Sequence, residues 1–126
     1  MEIYTSFYGS DLTGANFEYA TLPYTSFTYA KLVDVSFYKA ILTPFSSLQF
    51  FKVDLTSANF REANLTYVWF WDAELNYTSF YAADLTDASF YQSDYLINAD
   101  FRYADLTNAN LNFVEHLTNA NFYRAD

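Results

Sequence analysis

Cysteine is absent from the 126 residues, which excludes disulfides, thiolate nucleophiles and thiolate metal ligands and leaves the redox compartment open. Glycine and proline number only two each, so a chain that must turn does so without its usual turn residues. There is one histidine, no glycine-rich phosphate loop and no nucleophile with an identifiable base, so no catalytic, metal-binding or cofactor-binding residues are expected, and the chain reads as a non-enzyme. Basic side chains number six against fifteen acidic, a net charge of −9. Nucleic acid and anionic membrane are therefore not expected partners, because neutralising phosphates needs clustered Lys and Arg. No apolar run approaches the length of a membrane span, and the opening MEIYTSFYGSDLTG has neither a basic n-region nor an apolar h-region. A soluble cytoplasmic protein is the default expectation.

What is present is apolar and aromatic: 52% hydrophobic residues, with 14 Phe and 13 Tyr. Residues 83–94, ADLTDASFYQSD, show how they are arranged: a small residue stands two before a large apolar one, every five residues, with Leu and Phe alternating. A period of five suits neither a helix nor an ordinary alternating strand, so it points to a repeat architecture. Taking the large apolar residue as the centre, one run passes through Phe7, Leu12, Phe17 and onward to Leu42, and a second through Phe50, Leu55, Phe60 and onward to Phe90. Shorter runs follow at Leu96, Phe101, Leu106, Leu111 and at Leu117, Phe122. None of the tyrosines is a centre, because a buried hydroxyl would need a partner. Two residues before twenty of the 23 centres stand Ala, Val, Thr or Ser, on the same side of an extended segment, so both positions are expected to line one interior.

The stretches ANFREANLT (58–66), NADFRYADLTNANLN (98–112) and TNANFYRAD (118–126) resemble the pentapeptide-repeat family, whose motif is a small residue, Asp or Asn, Leu or Phe, and two variable residues. The resemblance implies an all-β fold, a right-handed quadrilateral parallel β-helix with four pentapeptides per coil. Over 1–126 this makes a single domain of about six coils, roughly 28 Å long at the strand spacing of ~4.8 Å. Alternation around a square places Phe on faces one and three and Leu on faces two and four, with Leu111 the exception. Eight residues separate Leu42 from Phe50, so residues 43–47, TPFSS, are expected to bulge outward; one extra residue precedes Leu96 and another precedes Leu117. These two small bulges are expected to bring Asp94, Glu115 and His116 together as a surface ion pair.

The outward residues then sort by face. Face one carries Tyr8, Tyr29, Phe51, Trp69, Trp71, Tyr91 and Phe113, including both tryptophans, and is the expected protein-interaction surface. Face two carries Asp11, Asp34, Asp54, Glu74, Asp94 and Glu115 against Lys31 alone; face three mixes Lys39, Arg61, Arg102 and Arg124 with tyrosines. The function expected is a structural or protein–protein interaction module with a rigid β-solenoid surface and an unidentified protein partner. Association with a second copy, end to end or face to face, is a further expectation. The alternative comes from the resemblance: its Qnr and MfpA members are acidic rods that resemble duplex DNA and bind DNA gyrase, and here face two would be the DNA-mimicking surface. A duplex of this length would present roughly 16 phosphates, whereas the net charge is −9.

Overall fold

The computed structural model describes residues 4–42 and 49–126. The bulge expected at 43–47 lies outside them. Parallel bridges join each segment to the one a full circuit later: Asp11 to Lys31, Lys31 to Asp54, Asp54 to Glu74, Glu74 to Tyr95 and Tyr95 to His116. Parallel ladders also run through Asn16, Ser36, Asn59, Ser79, Asp100 and Asn121, and through Thr21, Ile41, Asn64, Asp84 and Asp105. The remaining side begins with the paired two-residue strands β1 (Thr5–Ser6) and β2 (Thr25–Ser26) and continues through Trp69, Ser89 and Asn110. Four sides per circuit make a β-helix solenoid. Named strands are this short because each five-residue side spends most of its length on a turn.

One turn recurs at the described corners, closed at all but those after Leu22, Phe50 and Phe70 by the same hydrogen bond. The amide three residues after a centre donates to the carbonyl of the centre, as from Ala63 to Phe60 (3.1 Å) and from Ala83 to Phe80 (3.0 Å). The residue two after the centre has positive φ, the requirement of the third position of a type II turn. Gly9 and Gly14 fill two such corners, but twenty are filled by other residues, among them Tyr19, Tyr67, Tyr77 and Tyr103 with φ of 58–63°. No Val, Ile or Thr is among the twenty, since a β-branched side chain tolerates this conformation worst. The apparent shortage of turn residues is thus met by tolerated, unbranched side chains.

Backbone hydrogen bonds close the circuits. The amide of each centre donates to the next coil, as from Phe60 to Ser79 (2.7 Å), and so does the corner amide, as from Glu62 to Tyr81 (2.9 Å). The Asp, Asn or Ser before the centre caps the turn, its side chain accepting from the amide two residues on. Asp54 accepts from Thr56 (3.0 Å), Asn59 from Arg61 (3.1 Å) and Asn110 from Asn112 (2.9 Å). This is the local Asx bond that favours turns.

The interior is built from the centres and the small residues two before them, as expected. Among the described residues from Phe27 to Ala104 they are buried, save that before Leu96 it is Ser93 that turns inward while Asp94 is exposed. Phe7, Phe27, Phe50, Phe70 and Phe90 stack at 5.0–5.3 Å on one side. Facing them, Phe17, Phe37, Phe60, Phe80, Phe101 and Phe122 stack at 4.8–5.3 Å. The two stacks meet edge to face, as in Phe70 with Phe60 (5.7 Å) and with Phe80 (5.5 Å). Both arrangements are the favoured aromatic geometries. At two of the inward positions that carry a hydroxyl, it donates to a buried carbonyl of the preceding coil: Thr78 to Leu55 (2.9 Å), and Ser93 to Phe70. Among the described residues no helix is long and apolar enough to cross a membrane.

Candidate functional site

Because the corner residue and the one before it both project outward, identical sides of successive coils place their outer side chains in columns. On face one the column is a continuous aromatic ladder. Tyr8, Tyr29, Phe51, Trp71, Tyr91 and Phe113 follow one another with centroids 5.3–5.8 Å apart, every contact edge to face. Such contacts stabilise neighbouring coils by about 0.5–1.5 kcal/mol each. The Trp71 indole N–H also donates to Gln92 Oε1 (2.8 Å).

Trp69 differs from the other six residues singled out on this face. It precedes the centre Phe70, in the column of Ser6, Ser26, Ser89 and Asn110. Among the described residues no ring contact or hydrogen bond holds its indole, and it is 39% exposed. Trp69 and Trp71 flank a groove whose walls also include Tyr91, Asp87, Ser89 and Asn108. Gln49, also an outward position, is buried, with neither amide atom hydrogen-bonded among the described residues.

Face two is less uniform than its composition suggests. Its bridging column reads Asp11, Lys31, Asp54, Glu74, Tyr95 and His116. Asp11 and Asp54 are turn caps: hydrogen bonds from the Thr13 hydroxyl (2.6 Å) and amide (3.1 Å) hold the Asp11 carboxyl below its usual range. Asp34 is a corner residue. Asp94 and Glu115 flank a small groove with Asp72, Gln92 and Phe113. The ion pair expected between them and His116 is not formed. The His116 amide donates to the Asp94 carbonyl (3.0 Å), while its ring stacks on Tyr95 at 5.1 Å and 16°. The extra residue in each bulge shifts the register, so Tyr95 and His116 become the bridging pair. Among the described residues no group of three or more His, Cys, Asp and Glu is placed to hold a metal.

Face three shows what becomes of the basic residues. Tyr81 lies between the guanidinium groups of Arg61 (4.5 Å) and Arg102 (5.4 Å), and Arg124 lies over Tyr103 and Tyr123. Arg102 donates through Nε and Nη2 to Asp100 (2.8 Å each), holding that carboxyl below its usual range. Lys39 pairs with Glu62 (3.2 Å) beside Tyr38, and Lys52 with Asp72 (3.5 Å) beside Phe51. Five of the six basic side chains therefore lie against an aromatic ring, Lys31 being the sixth.

The repeat geometry has a counterpart among known families. Residues 5–43, 54–92 and 95–126 match pentapeptide repeats, in eight copies. The chain belongs to the pentapeptide-repeat family. No curated protein matches it significantly in sequence. Among solved structures it is similar to the pentapeptide-repeat protein Rfr23 from the cyanobacterium Cyanothece 51142, at 18% identity and a TM-score of 0.54, over 93% of this chain and 90% of that one. It is also similar to full-length QnrB1, a plasmid-mediated fluoroquinolone resistance protein, at 19% identity and a TM-score of 0.50, over 97% of this chain and 70% of that one. At these identities the likeness is one of fold. Read as pentapeptide repeats, the residues before the centres need no binding role to explain them, since Asp, Asn and Ser there cap turns. That assignment could have been anticipated from the Asp, Asn and Ser recurring at one phase of the repeat. Phase also separates Trp69, one before the centre Phe70, from Trp71, one after it, but does not say which rings each would meet.

Proposed function

We propose that this pentapeptide-repeat chain is a non-enzymatic interaction module, a right-handed β-helix of about six coils forming one domain, that presents face one to another protein. The observation that supports this reading is Trp69. The ladder rings shield the backbone and stabilise the coils whether or not a partner exists, but Trp69 belongs to no ladder and still exposes 39% of its surface. Large aromatic side chains left on a rigid flat surface are the type that dominates binding energy at interfaces. The test is to replace Trp69 and Trp71 together with Thr and to compare melting temperature with oligomeric state and partner capture. Lost association with coils still folded supports the interface. Lowered stability with association intact reduces face one to a structural ladder.

A second reading, a DNA mimic acting on gyrase, is supported by one observation. Among the described residues Asp11, Asp34, Asp54, Glu74, Asp94 and Glu115 form no ion pair, leaving their charge available to a basic partner. Lys31 and the Tyr95–His116 stack interrupt that column. The test is gyrase supercoiling and its protection from quinolones, with Asp54→Asn and Glu74→Gln combined. Asn keeps the turn cap, so loss of effect in that variant would report on charge. No effect of the unaltered protein at large molar excess removes the reading.

A further inference from the structure

The groove between the two tryptophans has a chemistry of its own. Its walls combine the indoles of Trp69 and Trp71 and the ring of Tyr91 with the polar groups of Asp87, Asn108 and Ser89, and no basic residue contributes to it. Asp87 is half-buried, and among the described residues its carboxylate has neither an ion pair nor a side-chain hydrogen bond. Elsewhere on the same molecule aromatic rings hold cations: Arg61 and Arg102 over Tyr81, Arg124 over Tyr103 and Tyr123, Lys52 beside Phe51. Tryptophan is the strongest cation–π acceptor of the three ring types. Here, among the described residues, neither indole has a cation over it.

We propose that this groove takes an arginine side chain from a basic, extended segment of a partner protein. A guanidinium is planar, so it stacks on an indole while its edge N–H groups remain available to a carboxylate and to amide oxygens. The groove offers both: the exposed Trp69 as a stacking face and the unpaired Asp87 at its rim. A net charge of −9 steers basic segments toward the rod. A neutral oligosaccharide would also stack on indoles and could donate hydroxyls to the carboxylate, but it would gain no charge pairing from it. The proposal rests on face one being the interaction surface and adds what that surface recognises.

Both tryptophans of the chain flank this groove, so tryptophan emission, excited selectively over the 13 tyrosines, reports on it. Titration with a capped tetra-arginine peptide is expected to give a saturable change in that signal, larger than with tetra-lysine. Asp87→Asn, which the corner conformation tolerates, should weaken binding about tenfold. Trp69→Ala, followed by calorimetry, should abolish it while leaving the coils folded by circular dichroism. No saturable change, a response that both variants leave intact, or tighter binding of cellohexaose than of tetra-arginine each overturns the proposal. The Trp-to-Thr association experiment separates the two levels. A groove indifferent to arginine, in a protein whose association still depends on the tryptophans, removes the cation and leaves the interface.

Discussion

Phe70→Ala and Phe122→Ala remove the same atoms from the middle and the end of one packing scheme, and comparing them tests the interior directly. Phe70 is fully buried and touches four rings: it stacks on Phe50 (5.1 Å) and Phe90 (5.0 Å) and meets Phe60 and Phe80 edge on. Truncating it leaves a cavity that rigid neighbouring coils cannot close, so the cost should fall at about 3–5 kcal/mol. In a domain of this size that lowers the melting temperature by on the order of 15 °C. Phe122 is 37% exposed, and among the described residues its ring contact is with Phe101 alone, at 4.8 Å. Its truncation should cost only about 1–2 kcal/mol, since less area is removed from contact and solvent fills the gap. Urea denaturation followed by far-ultraviolet circular dichroism gives both values, and amide exchange shows which coils open, since a solenoid is held by nearest-neighbour interfaces. Equal costs for the two variants, or a cost below ~1.5 kcal/mol at Phe70, would refute the stacked interior.

Other outcomes follow from single residues. Tyr67 holds φ at 63° on an exposed corner, so Tyr67→Val should destabilise by about 1–2 kcal/mol, while Tyr67→Gly stays within about 1 kcal/mol of the parent; urea midpoints decide. Thr78→Val keeps the buried shape but loses the bond to the Leu55 carbonyl (2.9 Å), which should cost about 1 kcal/mol by the same assay. Arg102 holds the Asp100 carboxyl below its ordinary value, so the pair contributes stability above the unfolded carboxylate range, near pH 4, and loses it as pH falls through the lower folded value. Asp100→Asn should therefore flatten that part of the acid unfolding curve, and an unchanged curve would show that the pair contributes nothing.

The period of five and the Leu–Phe alternation were enough to place the large interior residues, because both are local and survive insertions, but not the buried Gln49, or Ser93 beside the bulge before Leu96. The count of extra residues before Phe50, Leu96 and Leu117 reappears as bridges from Lys31 to Asp54, Glu74 to Tyr95 and Tyr95 to His116. The left-handed corners were also legible, though not through glycine. Thr recurs one residue after the centre, at Thr13, Thr56, Thr66, Thr86 and Thr107, and never two after it at a corner the structure describes. That asymmetry is the signature of a position where a β-branched side chain does not fit.

Tertiary structure decided what the outward residues touch. Parity places Trp69 and Trp71 on the same face, but only the stacking of coils puts Trp71 in register with Phe51 and Tyr91 and sets Trp69 between Gln49 and Ser89. The same offset stacks His116 on Tyr95 instead of pairing it with Asp94 or Glu115, and lays Arg61 and Arg102 on opposite sides of Tyr81. Sequence alone determined which side of the wall nearly every residue occupies, Gln49 excepted and Ser93 and Asp94 exchanged at a bulge, because that depends on alternation along one chain. Which neighbour it meets depends on a residue a full coil away and on the rotamer both adopt, and that is settled only when the coils stack.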